Sequence, residues 1–270
     1  MGSRVDKILW AWIILDSWVC STDLPEIRNQ KFIDECLREH NKARSSVNPP
    51  ATDMLYMTWD EGLAVTARAW ARHCLFDHNP RLREVRLVHP NFSSVGENIW
   101  TGHPPLFDVT TAIGRWVGEK KDYNYEKNTC TANEMCGHYT QVVWGSSYKV
   151  GCAAHLCPGG VRNFDSRKAV MFVCNYATAG NMNGNRPYVS GREACSGCTG
   201  TCDNRLCRDK ERDSQKSYNW TPDWDPDGVS QQAADFHYVI ILVVRPIGLI
   251  FTFITAYGVH WYYPNIFCYE

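Results

Sequence analysis

Neither sign of charge dominates this chain. Its 28 lysines and arginines face 29 acidic residues, so no basic face marks it for nucleic acid and no acidic run marks a solvating tail. Internal repeats and low-complexity tracts are missing as well, which leaves an ordinary globular composition with 44% hydrophobic residues to bury a core. Two catalytic signatures are also absent. Without a His-Glu-x-x-His helix the strongest local sign of a zinc peptidase is gone. No Gly-x-Ser-x-Gly elbow, Ser-His-Asp set or Cys-His set is visible. The chain is therefore read as non-enzymatic.

What the sequence has in quantity is cysteine. Thirteen in 270 residues is a density kept as bridges only in an oxidising compartment, so the chain is expected to be secreted or anchored on the extracellular side. Residues 1–21 read as a cleaved signal peptide: Arg4 and Lys7 precede the run Ile8 to Val19, interrupted by Asp16, and Ser21 suits the cleavage site. Asn91-Phe92-Ser93 and Asn219-Trp220-Thr221 are glycosylation sequons.

Apolar periodicity predicts a helix over Phe32 to Val47, stopped by Asn48-Pro49-Pro50. A second is predicted from an Asp60 cap to Asn79-Pro80, and a third from Thr110 to Tyr123. Tyr139 to Trp144, Tyr148 to Ala154 and Ala169 to Tyr176 read as strands, being short, rich in valine and aromatics, and separated by turn residues. Helices followed by strands argue for an α+β layered fold.

The cysteines from Cys195 to Cys207 form a compact knot, for which a zinc knuckle is the rival reading. The stretch from Arg208 to Asp235 is poor in aliphatics and reads as a linker. Tyr238 to Val259 is an apolar run of bilayer length, although Arg245 and Pro246 sit near its middle, where a charge costs about 2.5 to 3.5 kcal/mol on insertion scales.

Gly137-His138-Tyr139-Thr140-Gln141-Val142-Val143-Trp144 and Phe172-Val173-Cys174-Asn175-Tyr176 resemble the two signatures of the CAP superfamily, the cysteine-rich secretory, antigen 5 and pathogenesis-related proteins. Gly96-Glu97-Asn98-Ile99-Trp100 resembles a third motif, and Trp116 with Glu119 a fourth. Trp59-Asp60, Cys74 to His78 and Cys136-Gly137-His138 are most similar to the glioma pathogenesis-related branch. The resemblance implies an αβα sandwich with a central antiparallel sheet. It divides the chain into a CAP (SCP) domain at 30–188, a cysteine-rich hinge at 189–207, a polar linker at 208–237, an apolar transmembrane or GPI-signal segment at 238–259 and a tail at 260–270. Ser230, Ala233 or Ala234 would serve as the glycolipid attachment residue.

The resemblance also implies a cleft where His78, Glu97, Glu119 and His138 converge. His78 and His138 are plausible zinc ligands, and a hydrogen-bonded polar cluster without metal is the alternative. Implied disulfides are Cys152 with Cys174, Cys74 with Cys157, Cys195 with Cys202 and Cys198 with Cys207. Cys130 and Cys136 remain for a short bridge before His138, and Cys36 is expected to be a buried free thiol. The function implied is binding: an extracellular protein or glycoprotein partner, on sperm the egg coat, with loops such as 81–94 and 159–167 free to vary. Sterol or lipid carriage near Asn175 to Tyr188 is the alternative, and a metal-dependent hydrolase is the least favoured.

Overall fold

A computed structural model describes residues 24–84, 86–217, 219–226 and 240–262. The expected signal peptide, the three attachment residues and the tail from residue 263 lie outside the described residues.

Helix α1 (Gln30–Ser45) begins where the Asn29 side chain accepts a hydrogen bond from the Phe32 amide at 3.2 Å. Phe32, Cys36, His40 and Ala43 are buried along it, a stripe at three- and four-residue spacing that faces the core. Strand β1 (Thr58–Trp59) leads directly into helix α2 (Glu61–Ala71), whose cap is Asp60 as expected, accepting from the Leu63 amide at 2.9 Å. Helix α2 ends earlier than the sequence suggested, and the chain turns through a left-handed backbone at Cys74 (φ 48°), which bridges to Cys157. Strand β2 (Gly96–Gly102), helix α3 (Val109–Gly118) and the small pair β3 (Tyr123–Asn124) and β4 (Thr129–Cys130) follow.

Residues 139–144, expected as a strand, belong largely to a short helix, α4 (Gly137–Val142). The buried residues Tyr139, Val142 and Val143 recur at helical spacing, and the Glu119 carboxylate accepts the His138 and Tyr139 amides at 3.0 and 3.2 Å. A side chain from another element thus satisfies the orphan donors of the first turn, a tertiary effect that overrides the strand preference of the valines.

Strands β5 (Lys149–Cys157) and β6 (Ala169–Ala177) form the centre of a sheet ordered β1-β5-β6-β2. β5 with β6 and β6 with β2 are antiparallel, whereas β1 runs parallel to β5, so the sheet is mixed rather than wholly antiparallel. Alternation along β6 divides the core in two. Phe172, Cys174 and Tyr176 pack with α1, α3 and α4, while Met171 and Val173 pack with α2 on the other face. Helices thus cover both sheet faces, giving the αβα sandwich. Helix α2 lies close to the sheet because Gly151 lacks a side chain: a Cβ there would stand 2.1 Å from the Ala64 nitrogen.

The hinge is not a separate knot. Its hairpin, β7 (Thr201–Asp203) and β8 (Leu206–Arg208), docks on residues 51–56 through Tyr56 N to Cys207 O at 2.9 Å and Cys207 N to Met54 O at 2.8 Å. Described residues of the expected linker pack on the domain as well. After helix α5 (Lys210–Ser214), Trp220 donates to Thr66 Oγ1 at 3.0 Å, Trp224 donates to Leu87 O at 2.7 Å, and Asp225 pairs with Arg72 at 2.9 Å. Few aliphatics precluded a core of its own, but two tryptophans let this segment borrow the domain's.

Helix α6 (Arg245–Tyr262) follows a π-helical turn at Ile240–Val244. Residues Ile241–Val259 form a helix long and apolar enough to cross a membrane by length and composition, with mean hydropathy 1.8. Pro246 falls in the first turn of α6, where its missing N–H is tolerated.

Candidate functional site

The four expected residues are positioned by four different elements. His78 lies in the loop after α2, Glu97 on β2, Glu119 at the C-terminal cap of α3, and His138 in the first turn of α4. The structure joins them as two pairs. His78 Nδ1–H donates to Glu97 Oε1 at 3.0 Å, and His138 Nδ1–H donates to Glu119 Oε1 at 2.6 Å.

Each carboxylate has further work. Glu97, fully buried at its side chain, also accepts the Asn79 amide at 2.9 Å and, through Oε2, the Asn175 side chain at 3.5 Å. The remaining oxygen of Glu119 holds the first turn of α4 as described above. The hydrogen bond to Glu97 raises the pKa of His78 above the usual imidazole value. Beside Glu97, Asn79 Nδ2 and Asn175 Oδ1 are buried and make no hydrogen bond among the described residues.

Residues expected only as core, helix or motif positions also build this site. Trp116 lies nearly parallel to both the His138 ring and Phe172, at 6.3 and 5.5 Å with 12° between planes, and its indole N–H donates to Ile99 O at 3.2 Å. Asn98 donates to His138 O at 3.0 Å and to the Tyr176 hydroxyl at 3.3 Å. That hydroxyl donates to His40 Nε2 at 2.9 Å, while His40 Nδ1–H donates to Cys36 O at 2.7 Å. Burial lowers the pKa of His40 to about 4, which keeps the imidazole neutral as this geometry requires. The positions of Asn98 and Tyr176 within quoted motifs are the sequence signals for this network.

Fully buried Arg44 supports the first signature from below. Its guanidinium donates to the carbonyls of Leu55, Val142, Trp144, Gly145 and Ser147 at 2.7 to 3.1 Å. Helical spacing placed it on α1 but gave no sign that it was interior.

The cysteines pair as Cys74–Cys157, Cys130–Cys136, Cys152–Cys174, Cys195–Cys202 and Cys198–Cys207. Cys36 is free and buried, and burial pushes its thiol pKa well up, so it is not an activated nucleophile. The hinge cysteines, being oxidised, are not available as a zinc knuckle. Asn91 and Asn219 are both exposed.

The donor set can be compared with the needs of a zinc ion. Among the described residues, the only groups with three metal-ligating atoms within 4.8 Å are Cys74 with His155 and Cys157, and Cys195 with Cys198 and Cys207, all built on disulfide sulfur. The histidine–glutamate pairs offer something different. Each carboxylate fixes one imidazole through Nδ1, the arrangement that orients histidine ligands in zinc sites, and leaves Nε2 without a hydrogen bond among the described residues. Each pair thus presents one oriented imidazole, and among the described residues none of the four belongs to a group of three ligand atoms within 4.8 Å.

Comparison with known proteins agrees with this architecture. The model of the cysteine-rich secretory protein family, CAP, matches residues 37–176. GLIPR1-like protein 1 of Bos taurus is 48% identical over 78% of this chain and 83% of its own length. Glioma pathogenesis-related protein 1 of Mus musculus is 40% identical over 96% of each chain. Among solved structures, the crystal structure of NaASP2 with Zn2+ is similar with a TM-score of 0.52 and 29% identity, covering 66% of this chain and 96% of that one. With its two signatures, its αβα sandwich and these relatives, the chain belongs to the CAP family.

Proposed function

We propose that this chain is a non-enzymatic recognition protein on the extracellular side, held at the cell surface by its C-terminal apolar helix, and that it binds an extracellular protein or glycoprotein. The observation that carries this reading is the state of the tetrad carboxylates. All four oxygens of Glu97 and Glu119 accept fixed N–H groups, so these residues act as structural orienters and not as poised bases. Around them five disulfides hold a rigid frame, which supports an oxidising compartment and leaves loops such as 159–167 to carry specificity. The resemblance to CAP proteins of the male reproductive tract makes the egg coat the partner to test. Cells displaying the full-length chain should capture solubilised egg-coat glycoprotein above an unrelated glycoprotein, and equal capture of the two would overturn the proposal.

A second reading concerns zinc. The unpaired Nε2 atoms of His78 and His138 favour a weak site for the ion, with Glu97 and Glu119 orienting the rings. Calorimetric titration of zinc into the protein, beside a folded His78→Ala/His138→Ala variant, tests it; heat that both proteins release equally would dismiss the site.

A further inference from the structure

We infer that Arg245 seats the C-terminal helix against the transmembrane helix of a different protein, one that carries an aspartate or glutamate at the same depth. This inference rests on the reading of that helix as the membrane anchor and gives the anchor a lateral partner.

Arg245 is the single charged residue in the span Ile241–Val259. It stands about 6 Å inside the end of that span nearer the domain, and about 10 Å inside the apolar run that starts at Tyr238, at 1.5 Å per residue. A charge at such a depth is costly until it is paired, and residues of this kind face a protein neighbour or a polar cavity. Its own chain supplies no counter-charge, because the sequence from Phe236 to Tyr269 contains no aspartate or glutamate. Among the described residues this is also the only helix long and apolar enough to cross a membrane. The carboxylate must therefore come from another molecule.

The face around Arg245 suits close approach. Gly248, Thr252 and Ala256 follow it at three, seven and eleven residues, which places all four within about 80° of arc on an α-helix of 3.6 residues per turn. Thr252 spends its hydroxyl within the helix, donating to Gly248 O at 2.8 Å, so it adds no unpaired group to this stripe. The bulky Ile247, Ile250, Ile254 and Tyr257 lie on the opposite face. In lipid, whose tails are as apolar as leucine, helices associate through close packing at small residues and through polar pairs, and here both devices share one face. An arginine that only stretched to the headgroups would need no such stripe beneath it.

The charge also selects the occupant. A parallel second copy would set Arg245 against Arg245 at equal depth, where like charges repel strongly in a low dielectric. A carboxylate on a different chain neutralises the guanidinium and can accept two parallel hydrogen bonds from its planar fork. Because the domain precedes the helix, that carboxylate belongs in the outer half of the partner's span.

Co-expression of the full-length protein with a tagged single-span reporter tests the inference. The reporter's leucine–alanine helix carries one aspartate at the depth of Arg245, and a control reporter has leucine there. After solubilisation in digitonin, the expected recovery on the aspartate reporter is about fivefold or more above the control. Arg245→Leu should abolish that preference, Arg245→Lys should keep part of it, and Gly248→Leu/Thr252→Leu should reduce it. Arg245→Leu makes the helix more apolar, so it inserts normally and reports on pairing alone. Equal recovery of the wild type on both reporters, or a preference that survives Arg245→Leu, would overturn the inference. Capture of a differently tagged second copy in place of the aspartate reporter would do the same. Alkaline carbonate separates the two readings. Release of the wild-type chain from membranes removes the anchor and this inference with it, whereas a retained chain with no preference for aspartate leaves the anchor standing and removes only the partner.

Discussion

Glu119 holds His138 at two points, accepting the ring Nδ1–H at 2.6 Å through one oxygen and the backbone amide at 3.0 Å through the other. One carboxylate therefore caps helix α4 and sets the tautomer and direction of an imidazole. Glu119→Ala should lower stability by about 2 kcal/mol, the scale of a lost cap joined to a charged hydrogen bond. Glu119→Gln should lose less, because it keeps one acceptor. Thermal unfolding of the two variants checks the order, and equal losses would mean that the carboxylate does not act as described.

Much of this architecture was legible in the chain before its fold. Asp60 announced helix α2 because an acidic cap preceding an apolar stripe is a local signal. Periodicity likewise placed Phe32 and Cys36 on one face of α1. The misread helix α4 shows the limit: its valines favour strand locally, and the group that caps it is 19 residues away in sequence. The tetrad came from motif resemblance, because nothing in spacing brings residue 78 to 97 or 119 to 138. Arg44 and the Trp220–Asp225 strap were invisible for the same reason, as their partners are backbone carbonyls and side chains from distant elements.

Arg44 makes a sharp test of the buried frame. Burial lowers its pKa to about 9, so it stays charged at neutral pH while serving five carbonyls. Arg44→Ala should cost on the order of 4 kcal/mol or abolish secretion, since the carbonyls around Trp144 lose their donors inside the core. Arg44→Lys should rescue only part, because an ammonium lacks the planar fork. Denaturant unfolding of secreted protein measures both, and a full rescue by lysine would contradict the described geometry.

Two histidines pull the pH dependence of stability in opposite directions. His40 has a lowered pKa, so the unfolded chain takes up its proton first as pH falls. Stability should drop between pH 6.5 and about 4, by up to roughly 3 kcal/mol from this group. His78 has a raised pKa, so its pairing with Glu97 contributes fully below pH 6.5 and fades as pH rises through the folded value. NMR titration should find His78 titrating above 6.5 and His40 neutral at pH 5. In Glu97→Gln the His78 midpoint should move down, and a midpoint that stays put would remove Glu97 as the cause.

The strap that follows the hinge rests on the pair Arg72 and Asp225, whose side chains are 12% and 1% exposed. Asp225→Ala should cost about 3 kcal/mol, because a largely buried guanidinium loses its counter-charge. Hydrogen exchange at residues 219–226 should rise more than in the β5–β6 core. Unchanged exchange there would show that the tryptophans alone hold the strap.

The central claim is recognition without catalysis, and titration of egg-coat glycoprotein onto immobilised full-length protein tests it most directly, with wild type and His78→Ala/His138→Ala measured side by side. The account predicts saturable binding in both, with dissociation constants within about threefold, under 1 kcal/mol. Absence of saturable binding in the wild type, or turnover of the glycoprotein that vanishes with the two imidazoles, would contradict it.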